Sequence, residues 1–338
     1  MSLSVGIVGL PNVGKSTLFN ALLKKQLAYV ANFPFATIEP NIGVVPVPDV
    51  RLDKLADVIS EQWLVNGEHK RPPLVPATVE FVDIAGLIAG ASKGEGLGNK
   101  FLTHIREVSA ICHVVRAFSD PDIIKQGVSD PKTDFEVVKL ELDLADAEMV
   151  DRASAKASAG EKTQVENLPL FSRKSILIVL NVDEGDLKEA RALEEKFAKE
   201  LSLDRNQIVA ICAKTESELA ELSEEDQKTY LADLGIEKSG LERLIQKAFA
   251  TLGLITFLTA REKEVRAWTI KSGINAQEAA GVIHTDFIKN FIKADVVDFD
   301  DFIGNGGWKA AREVGKVRSE GRDYIMKDGD VVEFKIGT

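Results

Sequence analysis

The segment 9–16, with the sequence GLPNVGKS, matches the phosphate-binding pattern G-x-x-x-x-G-K-[S/T]. Its glycines allow successive backbone N–H groups to turn inward around a phosphate, and the N-terminus of the following helix adds a partial positive charge. We expect Lys15 to reach the β- and γ-phosphates and the Ser16 hydroxyl to bind Mg²⁺. The residues expected to contact the nucleotide here are Asn12, Val13, Gly14, Lys15, Ser16 and Thr17.

Two later motifs complete the predicted phosphate chemistry. Asp83 begins the sequence DIAG at the end of an apolar segment, where its carboxylate can hold Mg²⁺ while the Gly86 N–H faces the γ-phosphate. Thr37 lies in the Pro-containing segment NFPFATIEPN, and its hydroxyl could close on Mg²⁺ when a γ-phosphate is present. We therefore predict Ser16, Thr37 and Asp83 as metal ligands, and Lys15, Thr37 and Gly86 as the groups closest to the reaction.

The sequence NVDE at 181–184 occupies the position at which guanine-specific switch proteins carry N-K-x-D. Val182 replaces the lysine and Glu184 the aspartate, so the carboxylate is one methylene too long for the usual pair of hydrogen bonds to guanine. Asn181 has both a donor and an acceptor and could serve adenine instead. These replacements favour ATP over GTP. A weaker signal places a backbone contact to the base at Ala213.

The group that would position the attacking water is missing from its usual place. Many switch GTPases carry a glutamine directly after D-x-x-G, whereas this sequence has Leu87. We therefore expect slow intrinsic hydrolysis that depends on a partner, a cation or a rearranged glycine-rich segment at 90–99. Asn12 stands where some related proteins bind a monovalent cation, which makes K⁺ a possible second cofactor.

The surrounding sequence predicts an α/β protein that positions these residues at one edge of a sheet. Short apolar runs alternate with helical patterns, which is typical of a mostly parallel sheet with helices on both faces. The predicted strands are Ser4–Gly9, Ile42–Val47, Thr78–Val82, Ala110–Val115, Ser175–Leu180 and Gln207–Ile211.

Composition excludes several other classes of protein. The 338 residues have a formal net charge of −11, which argues against a uniformly basic nucleic-acid-coating surface. No apolar run is long enough for a membrane-spanning helix, and no signal-like segment opens the sequence, so we expect a cytoplasmic protein without membrane contact. Cys112 and Cys212 lie in apolar runs and are expected in the core.

Two regions depart from the alternating pattern. Between residues 121 and 171 the sequence is acidic and Ala-rich, with apolar residues at helical spacing, and predicts a helical excursion from the sheet. From 255 onward the sequence predicts a small α+β domain with a strand at Glu264–Ile270 and a helix near Asn275–Ile283. Within this domain, Asp328-Gly329 predicts a hairpin between Tyr324–Lys327 and Asp330–Ile336.

The sequence resembles the YchF or Obg-like ATPase subgroup of the Obg-related P-loop NTPases over nearly its whole length. Long segments carry the resemblance, namely GLPNVGKST, NFPFATIEPN, FVDIAGL, GASKGEGLGNKFL, NVDE, KEVRAWTI and AAGVIHTDF. It implies a P-loop G domain at 1–120 and 172–254, a helical coiled-coil insertion at 121–171 and a β-grasp-like TGS domain at 255–338. The insertion is tens of residues shorter than is usual in the family. Some relatives carry a histidine, proposed to assist hydrolysis, directly after a pair of isoleucines. In this sequence that position is Lys125.

The resemblance also implies Mg²⁺-dependent, ATP-preferring hydrolysis and association with the ribosome, especially the large subunit. We expect a monomer. A GTPase of the same fold and a nucleotide-sensing adaptor with incidental hydrolysis remain alternatives. Basic residues in the last domain could contact ribosomal RNA, or could form a solvated face balanced by acidic neighbours. These residues are Lys309, Arg312, Lys316, Arg318, Arg322 and Lys327.

Overall fold

The computed structural model describes residues 3–32, 41–62, 64–65, 68–84, 97–119, 130–158 and 168–337. The chain divides into two compact units. The first unit comprises Met1–Val45 and Val79–Leu252, and the second comprises Pro46–Thr78 and Gly253–Thr338. We describe each unit by itself.

The helices and strands follow in chain order. The strands are β1 Ser4–Val8, β2 Ile42–Pro46, β3 Leu64–Val65, β4 Glu68–His69, β5 Leu74–Val75, β6 Thr78–Asp83, β7 Ala110–Arg116, β8 Ser175–Asn181, β9 Ile208–Ile211, β10 Leu254–Ala260, β11 Val265–Lys271, β12 Phe291–Val297, β13 Arg318–Glu320 and β14 Val331–Ile336. The α-helices are α1 Lys15–Asn32, α2 Val50–Gln62, α3 Leu97–Glu107, α4 Pro131–Ser158, α5 Ala190–Leu201, α6 Ala213–Leu219, α7 Glu224–Asp233, α8 Gly240–Thr251, α9 Ala276–Ile283, α10 Thr285–Lys289, α11 Phe299–Gly304 and α12 Trp308–Glu313.

The first unit is built on a six-stranded sheet in the order β2-β6-β1-β7-β8-β9. Strand β1 pairs in parallel with β6 and β7, and β7, β8 and β9 continue the parallel arrangement. β1 and β7 are buried along their whole length, which explains their continuous apolar sequences. The predicted α/β sheet with six strands is therefore confirmed. Because β6, β1, β7, β8 and β9 are parallel, their carboxyl ends meet at one edge.

Helix α4 begins the described part of the predicted helical insertion. Its residues Val138, Leu142 and Ala145 belong to an apolar cluster that includes Ile111 on β7. Asp146 accepts hydrogen bonds from the backbone N–H groups of Phe171 and Ser172, at 2.8 and 2.9 Å, and so connects the helix to the turn before β8. The predicted helical spacing is confirmed, and the first half of the helix, up to Ala145, packs against the sheet. Within 130–158 and 168–173, the structure shows this single α-helix followed by one 3₁₀ turn.

The second unit contains a mixed six-stranded sheet in the order β13-β12-β14-β10-β11-β5. β10 pairs antiparallel with β11 and parallel with β14. Helix α9 covers one face, where Ala276, Ala279 and Ala280 pack with Phe257 and Phe334. Asn275 caps this helix, since its side chain accepts a hydrogen bond from Glu278 N–H. The predicted α+β character, the strand near Glu264–Ile270 and the helix near Asn275–Ile283 are present.

Residues 46–78 belong to the second unit, whereas the sequence analysis assigned them to the G domain. β5 adds to the edge of the sheet beside β11. On α2, Arg51 forms ion pairs with Asp49 and Asp328 and donates a hydrogen bond of 2.8 Å to the Thr256 hydroxyl. The contacts of Arg51 with Asp328 and Thr256 join residues more than 200 positions apart in sequence. Local sequence patterns therefore could not have revealed them.

The predicted hairpin at Asp328-Gly329 is wrong. Residues 324–327 form no strand and contribute only an isolated bridge between Asn275 and Ile325. β14 pairs with the distant strands β12 and β10. The turn itself exists, with Gly329 at a φ of 85°. Asp328 accepts a hydrogen bond of 2.8 Å from the Thr256 N–H, so this turn connects to β10 instead of to a preceding strand.

Among the helices whose residues the structure describes, none combines the length and apolar character needed to cross a membrane. Cys112 and Cys212 are buried free thiols, as the sequence predicts. Burial raises the pKa of the Cys112 thiol to about 12. This thiol is therefore neutral and packs as an apolar side chain.

Candidate nucleotide-binding site

The phosphate loop connects β1 to α1 and passes close to strand β7. Gly9 has a φ of 154°, and a Cβ atom at this position would lie 2.4 Å from the Val114 carbonyl oxygen. A side chain would therefore collide with the backbone of β7. The first glycine of the motif is needed here for close packing of the loop against the sheet.

The second glycine of the motif faces another part of the site. Gly14 has a φ of 96°, and an added Cβ would lie 2.2 Å from Asn181 Nδ2. Asn12 also has a left-handed conformation, with a φ of 63°. Helix α1 begins directly afterwards, and its Leu18 N–H donates to the Gly14 carbonyl at 3.0 Å. The N–H groups of the first helical turn therefore lack acceptors within the helix and can bind an anion.

Lys15 is 9% exposed, and its Nζ donates a hydrogen bond of 2.7 Å to the Leu10 carbonyl. The lysine side chain therefore spans the inside of the loop. Burial lowers the pKa of Lys15 from its ordinary value, and the nearby Asp83 carboxylate opposes that shift. Since a phosphate anion would favour the charged ammonium, this environment is suited to phosphate binding.

Asp83 is the last residue of β6 and pairs in register with Ile7 of β1, two residues before the loop begins. Burial raises the pKa of the Asp83 carboxyl, and the Lys15 ammonium opposes this shift. The Asp83 carboxylate and the hydroxyl of Ser16, an exposed residue in the first turn of α1, are oxygen groups of the kind that Mg²⁺ prefers. Among the described residues, no group of three or more His, Cys, Asp or Glu side chains is arranged to hold a metal ion by itself.

Asn181 bridges two loops of the site. Its Nδ2 donates to the Val13 carbonyl at 2.9 Å, and its Oδ1 accepts from the Ala213 N–H at 2.9 Å. The side chain is buried, and it holds the phosphate loop against the start of α6. The Nδ2 group can donate one further hydrogen bond, and Oδ1 can accept one further hydrogen bond. The predicted contact between Asn181 and adenine stays a prediction. The N–H of Ala213 is engaged within the protein, and its predicted contact with the base also stays a prediction.

The other residues of the NVDE sequence have different environments. Val182 is 2% exposed and packs in the apolar cluster between β8 and α5. Its predicted part in nucleotide binding stays a prediction. Asp183 accepts hydrogen bonds of 3.0 Å from the backbone and hydroxyl of Ser119. Glu184 is exposed and accepts a 3.5 Å hydrogen bond from the Tyr230 hydroxyl. The predicted role of Glu184 in recognition of the base stays a prediction.

Sequence reasoning missed three groups that shape this site. The Leu10 carbonyl holds Lys15, the Val114 carbonyl requires Gly9, and Tyr230 of α7 approaches Glu184. Two of these groups are backbone carbonyls, which carry no signal in the sequence. Tyr230 is 46 residues from Glu184 along the chain, and no motif marks it.

Several predicted residues lie outside the described part of the chain. Thr37, Gly86 and Leu87 belong to this group, as do most of the glycine-rich segment and Lys125. Their predicted roles in metal binding and hydrolysis stay predictions.

Three of the six basic residues predicted as RNA contacts in the last domain have acidic partners within the second unit. Arg312 pairs with Asp295 at 3.3 Å, and Lys316 pairs with Asp301 at 3.2 Å. The Arg318 guanidinium lies near three carboxylates, which belong to Asp298, Glu320 and Asp330. This arrangement favours the balanced-surface interpretation over a phosphate-binding one for these three residues.

Two family models match the sequence. Residues 4–214 match a model described as a 50S ribosome-binding GTPase. Residues 254–337 match the YchF-GTPase C-terminal model, described as a protein of unknown function. Together the two models account for the phosphate loop, the NVDE sequence and the C-terminal sheet.

Similar proteins extend over the full length of the chain. A protein of Bacillus subtilis named Ribosome-binding ATPase YchF is 44% identical, with 99% of each chain covered. Proteins of the same name from Haemophilus influenzae and Escherichia coli O157:H7 are both 45% identical, again with 99% of each chain covered. A solved structure titled as the Schizosaccharomyces pombe YchF GTPase is 34% identical, with a TM-score of 0.82 and coverage of 99% of this chain and 98% of the other.

Proposed function

This chain belongs to the YchF family of P-loop proteins, and from that premise we propose that it is a Mg²⁺-dependent ATPase that associates with the ribosome. The observation that carries the proposal is the placement of Lys15 and Asp83 at one edge of the sheet beside a loop held by Asn181. A cation for phosphate, a carboxylate for a metal ion and a rigid loop are the parts that phosphoryl transfer requires.

The proposed roles follow from the chemistry of each group. Lys15 would neutralise charge on the transferred phosphate, and Ser16 and Asp83 would hold Mg²⁺ with Thr37. When bound, Mg²⁺ supplies charge neutralisation at the phosphate oxygens. The Gly86 N–H would contact the γ-phosphate. Slow intrinsic turnover is expected because Leu87 replaces the usual water-positioning glutamine.

The preference for ATP over GTP rests on Glu184. Its exposed carboxylate is longer than the aspartate that pairs with guanine, and Val182 is buried where guanine-specific proteins carry a lysine. The names of the bacterial relatives, which call them ATPases, support this choice. GTP hydrolysis is the second candidate, since the family model and the Schizosaccharomyces pombe structure are both described as GTPases.

Ribosome association is proposed from the names of the relatives and of the family model. The proposed site of action is therefore cytoplasmic, and a monomer is the simplest acting species. For residues 255–338, we propose a TGS domain. Lys309, Arg322 and Lys327 are the remaining predicted RNA contacts, because the other basic residues have acidic partners.

Titration with fluorescent mant-ATP and mant-GTP in the presence of Mg²⁺ tests nucleotide choice. We expect tighter binding of ATP, loss of phosphate release in Lys15→Ala, and ordinary activity in Lys199→Ala, whose lysine is exposed on α5. Removal of Mg²⁺ with EDTA should abolish turnover. Tighter binding of GTP than of ATP would contradict the assignment of Glu184.

Co-sedimentation with purified large ribosomal subunits tests the partner. Binding should depend on whether a non-hydrolysable ATP analogue or ADP is present, because the proposed switch reports its nucleotide state. If neither nucleotide supports co-sedimentation while both bind the protein, ribosome association is contradicted and the ATPase proposal stands. If Lys15→Ala stops turnover but preserves nucleotide-dependent partner binding, the adaptor alternative is favoured.

A further inference from the structure

Strands β7 and β8 are joined by one more contact after their backbone pairing ends. The last paired residues are Arg116 and Asn181, and the Ala117 N–H donates to the Asn181 carbonyl at 2.8 Å. In a parallel ladder such bonds are evenly spaced and recur at every second residue. The next donor in the series would be the Ser119 N–H, and the next acceptor would be the backbone carbonyl of Asp183.

The side chain of Asp183 takes the place of that backbone carbonyl. Its Oδ2 accepts hydrogen bonds of 3.0 Å from both the N–H and the hydroxyl of Ser119. The Asp183 carbonyl instead accepts from the Asp186 N–H at 3.1 Å, at the start of the 3₁₀ helix Glu184–Glu189. Asp183 therefore continues the sheet with its side chain and begins a helix with its backbone.

Asp183 does not have the role that an aspartate usually has at the start of a helix. It occupies the N-cap position of the 3₁₀ helix, yet its side chain makes no capping hydrogen bond. Aspartate is favoured at N-caps because its carboxylate accepts from backbone N–H groups of the first turn. Here the carboxylate bonds to a residue 64 positions away in sequence. Local helix formation therefore does not explain where this side chain lies.

Both ends of this contact are fixed to the sheet. The Val182 N–H donates to a carbonyl of β9 at 2.9 Å, and the Val182 side chain is buried. On the β7 side, the buried Arg116 donates from Nε to the Phe118 carbonyl at 3.3 Å and lies over the Phe118 ring. Leu187 anchors the 3₁₀ helix in an apolar cluster. The backbone that carries Glu184 is therefore held on both sides.

The position of this backbone decides where the Glu184 carboxylate can reach. Glu184 follows Asp183 directly and is exposed. Its side chain is longer than that of aspartate by one C–C bond, which is about 1.5 Å. A backbone shift of similar size would bring the glutamate carboxylate to the place where an aspartate pairs with guanine. Recognition groups must be held within about 0.5 Å of their working geometry, so discrimination requires that this shift be prevented.

We propose that Asp183 is a positioning residue for nucleotide choice, and that its two hydrogen bonds to Ser119 prevent the shift of Glu184 that would admit guanine. This inference rests on the proposed role of Glu184 in base recognition. It adds that a preference for ATP requires a fixed backbone at Glu184 as well as the longer side chain. Asp183 acts through Glu184, and releasing it removes part of the cost that the site imposes on GTP.

The test compares the affinities of full-length variants for mant-ATP and mant-GTP in the presence of Mg²⁺. Asp183→Ala should lower the ratio of the ATP affinity to the GTP affinity by about threefold to tenfold, because two hydrogen bonds are lost. Asp183→Asn keeps an oxygen acceptor for Ser119 and should keep most of the ratio. Ser119→Ala removes only the hydroxyl and should lower the ratio by about twofold to threefold. Asp186→Ala, at an exposed position of the same 3₁₀ helix, is the matched control.

A second background separates positioning from a general loss of structure. In Glu184→Asp the carboxylate already has the length that suits guanine, so no backbone shift is needed. Adding Asp183→Ala to this variant should not raise the GTP affinity any further relative to the ATP affinity. A role in stability alone would weaken the binding of both nucleotides equally in either background. Circular dichroism checks that each variant is folded, and Ser119→Ala provides the test if Asp183→Ala does not fold.

Two results would overturn the proposal. One is an unchanged ratio of affinities in folded Asp183→Ala, or in Ser119→Ala if the former does not fold. The other is an equal decrease of the ratio in the wild-type and Glu184→Asp backgrounds, which would show that Asp183 does not act through Glu184.

Glu184→Ala distinguishes failure of this inference from failure of the proposed function. If Glu184→Ala changes the ratio of affinities and Asp183→Ala does not, Glu184 recognises the base without help from Asp183. If neither variant changes the ratio, base recognition lies elsewhere, and the proposed roles of Glu184 and Asp183 are both wrong.

Discussion

Asn181 Nδ2 donates a hydrogen bond of 2.9 Å to the carbonyl oxygen of Val13, and this bond joins the end of β8 to the phosphate loop. The opposite end of the same amide accepts from the Ala213 N–H. One buried side chain therefore fixes the phosphate loop relative to the loop that follows β9. The asparagine of the base-recognition motif thus has a structural role in addition to its predicted contact with the base.

Replacement of Asn181 by Ala should weaken the binding of ATP and GTP to a similar extent. Two backbone groups, the Val13 carbonyl and the Ala213 N–H, would lose their partner, at a cost of about 1–3 kcal/mol for each buried group left unpaired. We expect about tenfold to hundredfold weaker binding of both mant-nucleotides. Asn206→Ala, at an exposed position, is the matched control. Selective loss of ATP binding would instead indicate that Asn181 acts mainly on the base.

Gly14→Ala should abolish nucleotide binding while leaving the chain folded. The added Cβ would lie 2.2 Å from Asn181 Nδ2, and a φ of 96° is unfavourable for alanine. The loop must therefore move, and the hydrogen bond from Asn181 to Val13 should break. Gly304→Ala is the control, because nothing lies within 4 Å of its added Cβ and no positive φ is involved. Isothermal titration with Mg-ATP measures the effect, and unchanged affinity in Gly14→Ala would show that the loop adapts.

The sequence predicted those features that depend on neighbouring residues. The phosphate loop is contiguous, and its glycines, lysine and serine follow from local backbone and charge requirements. The strands of the parallel sheet were also predictable, because burial on both faces gives continuous apolar runs. The two roles of Asn181 were not predictable, since its partners Val13 and Ala213 are 168 and 32 residues away.

The second unit also has features that depend on residues distant in sequence and that local patterns could not predict. Asp328-Gly329 forms the turn that its sequence favours, but the strand after it pairs with β12 and β10 instead of with its neighbour. Turn chemistry decides the local reversal of the chain, whereas pairing depends on the strands that are available in the folded sheet. Residues 46–78, which the family resemblance assigns to the G domain, group with residues 253–338 because their partners lie there, and local sequence carries no signal of those distant partners.

Glu184→Asp should raise the affinity for GTP relative to ATP. The shorter side chain restores the aspartate that accepts hydrogen bonds from the guanine edge in N-K-x-D proteins, although Val182 still replaces the lysine. A hydrogen bond to a charged group contributes about 1.5–3 kcal/mol. We expect Glu184→Asp to recover part of this energy for GTP, so the ratio of the GTP affinity to the ATP affinity should rise about tenfold. Glu189→Asp, at an exposed position five residues later, is the control. A ratio unchanged in Glu184→Asp would place base recognition elsewhere.

Lowering the pH should destabilise the first unit through His113. Its pKa falls from 6.5 to about 3 on folding, so between these values the unfolded chain binds a proton that the folded chain does not. The free energy of unfolding should therefore decrease below pH 6.5, by about 1.4 kcal/mol per pH unit from this residue alone. Urea unfolding followed by circular dichroism at pH 7, 6 and 5 measures this slope.

His113→Phe should reduce that slope, because the variant has no group to protonate at this position. His104→Gln changes an exposed histidine and serves as the control. Equal slopes in the wild-type chain and in His113→Phe would show that other groups determine the acid sensitivity of the first unit.

Arg51→Ala should destabilise the second unit selectively. The guanidinium pairs with Asp49 at 2.7 Å and with Asp328 at 2.9 Å, and it also donates to the Thr256 hydroxyl, so one side chain connects α2 to β10 and to the turn before β14. Loss of these contacts should lower the free energy of unfolding by about 1–3 kcal/mol, because hydrogen bonds to charged groups are among the stronger ones. Arg71→Ala, which removes an arginine that pairs with two exposed aspartates, should have an effect below about 1 kcal/mol.

Tryptophan fluorescence during urea unfolding provides the measurement for Arg51→Ala. Among the described residues, the tryptophans are Trp268 on β11 and Trp308 on α12, and their fluorescence reports on the second unit. Circular dichroism follows both units and should show an early transition that coincides with the fluorescence change. Mant-ATP binding should persist in the urea range between the two transitions, because the nucleotide site belongs to the first unit. An unshifted fluorescence midpoint in Arg51→Ala would mean that residues 46–78 do not stabilise the C-terminal sheet.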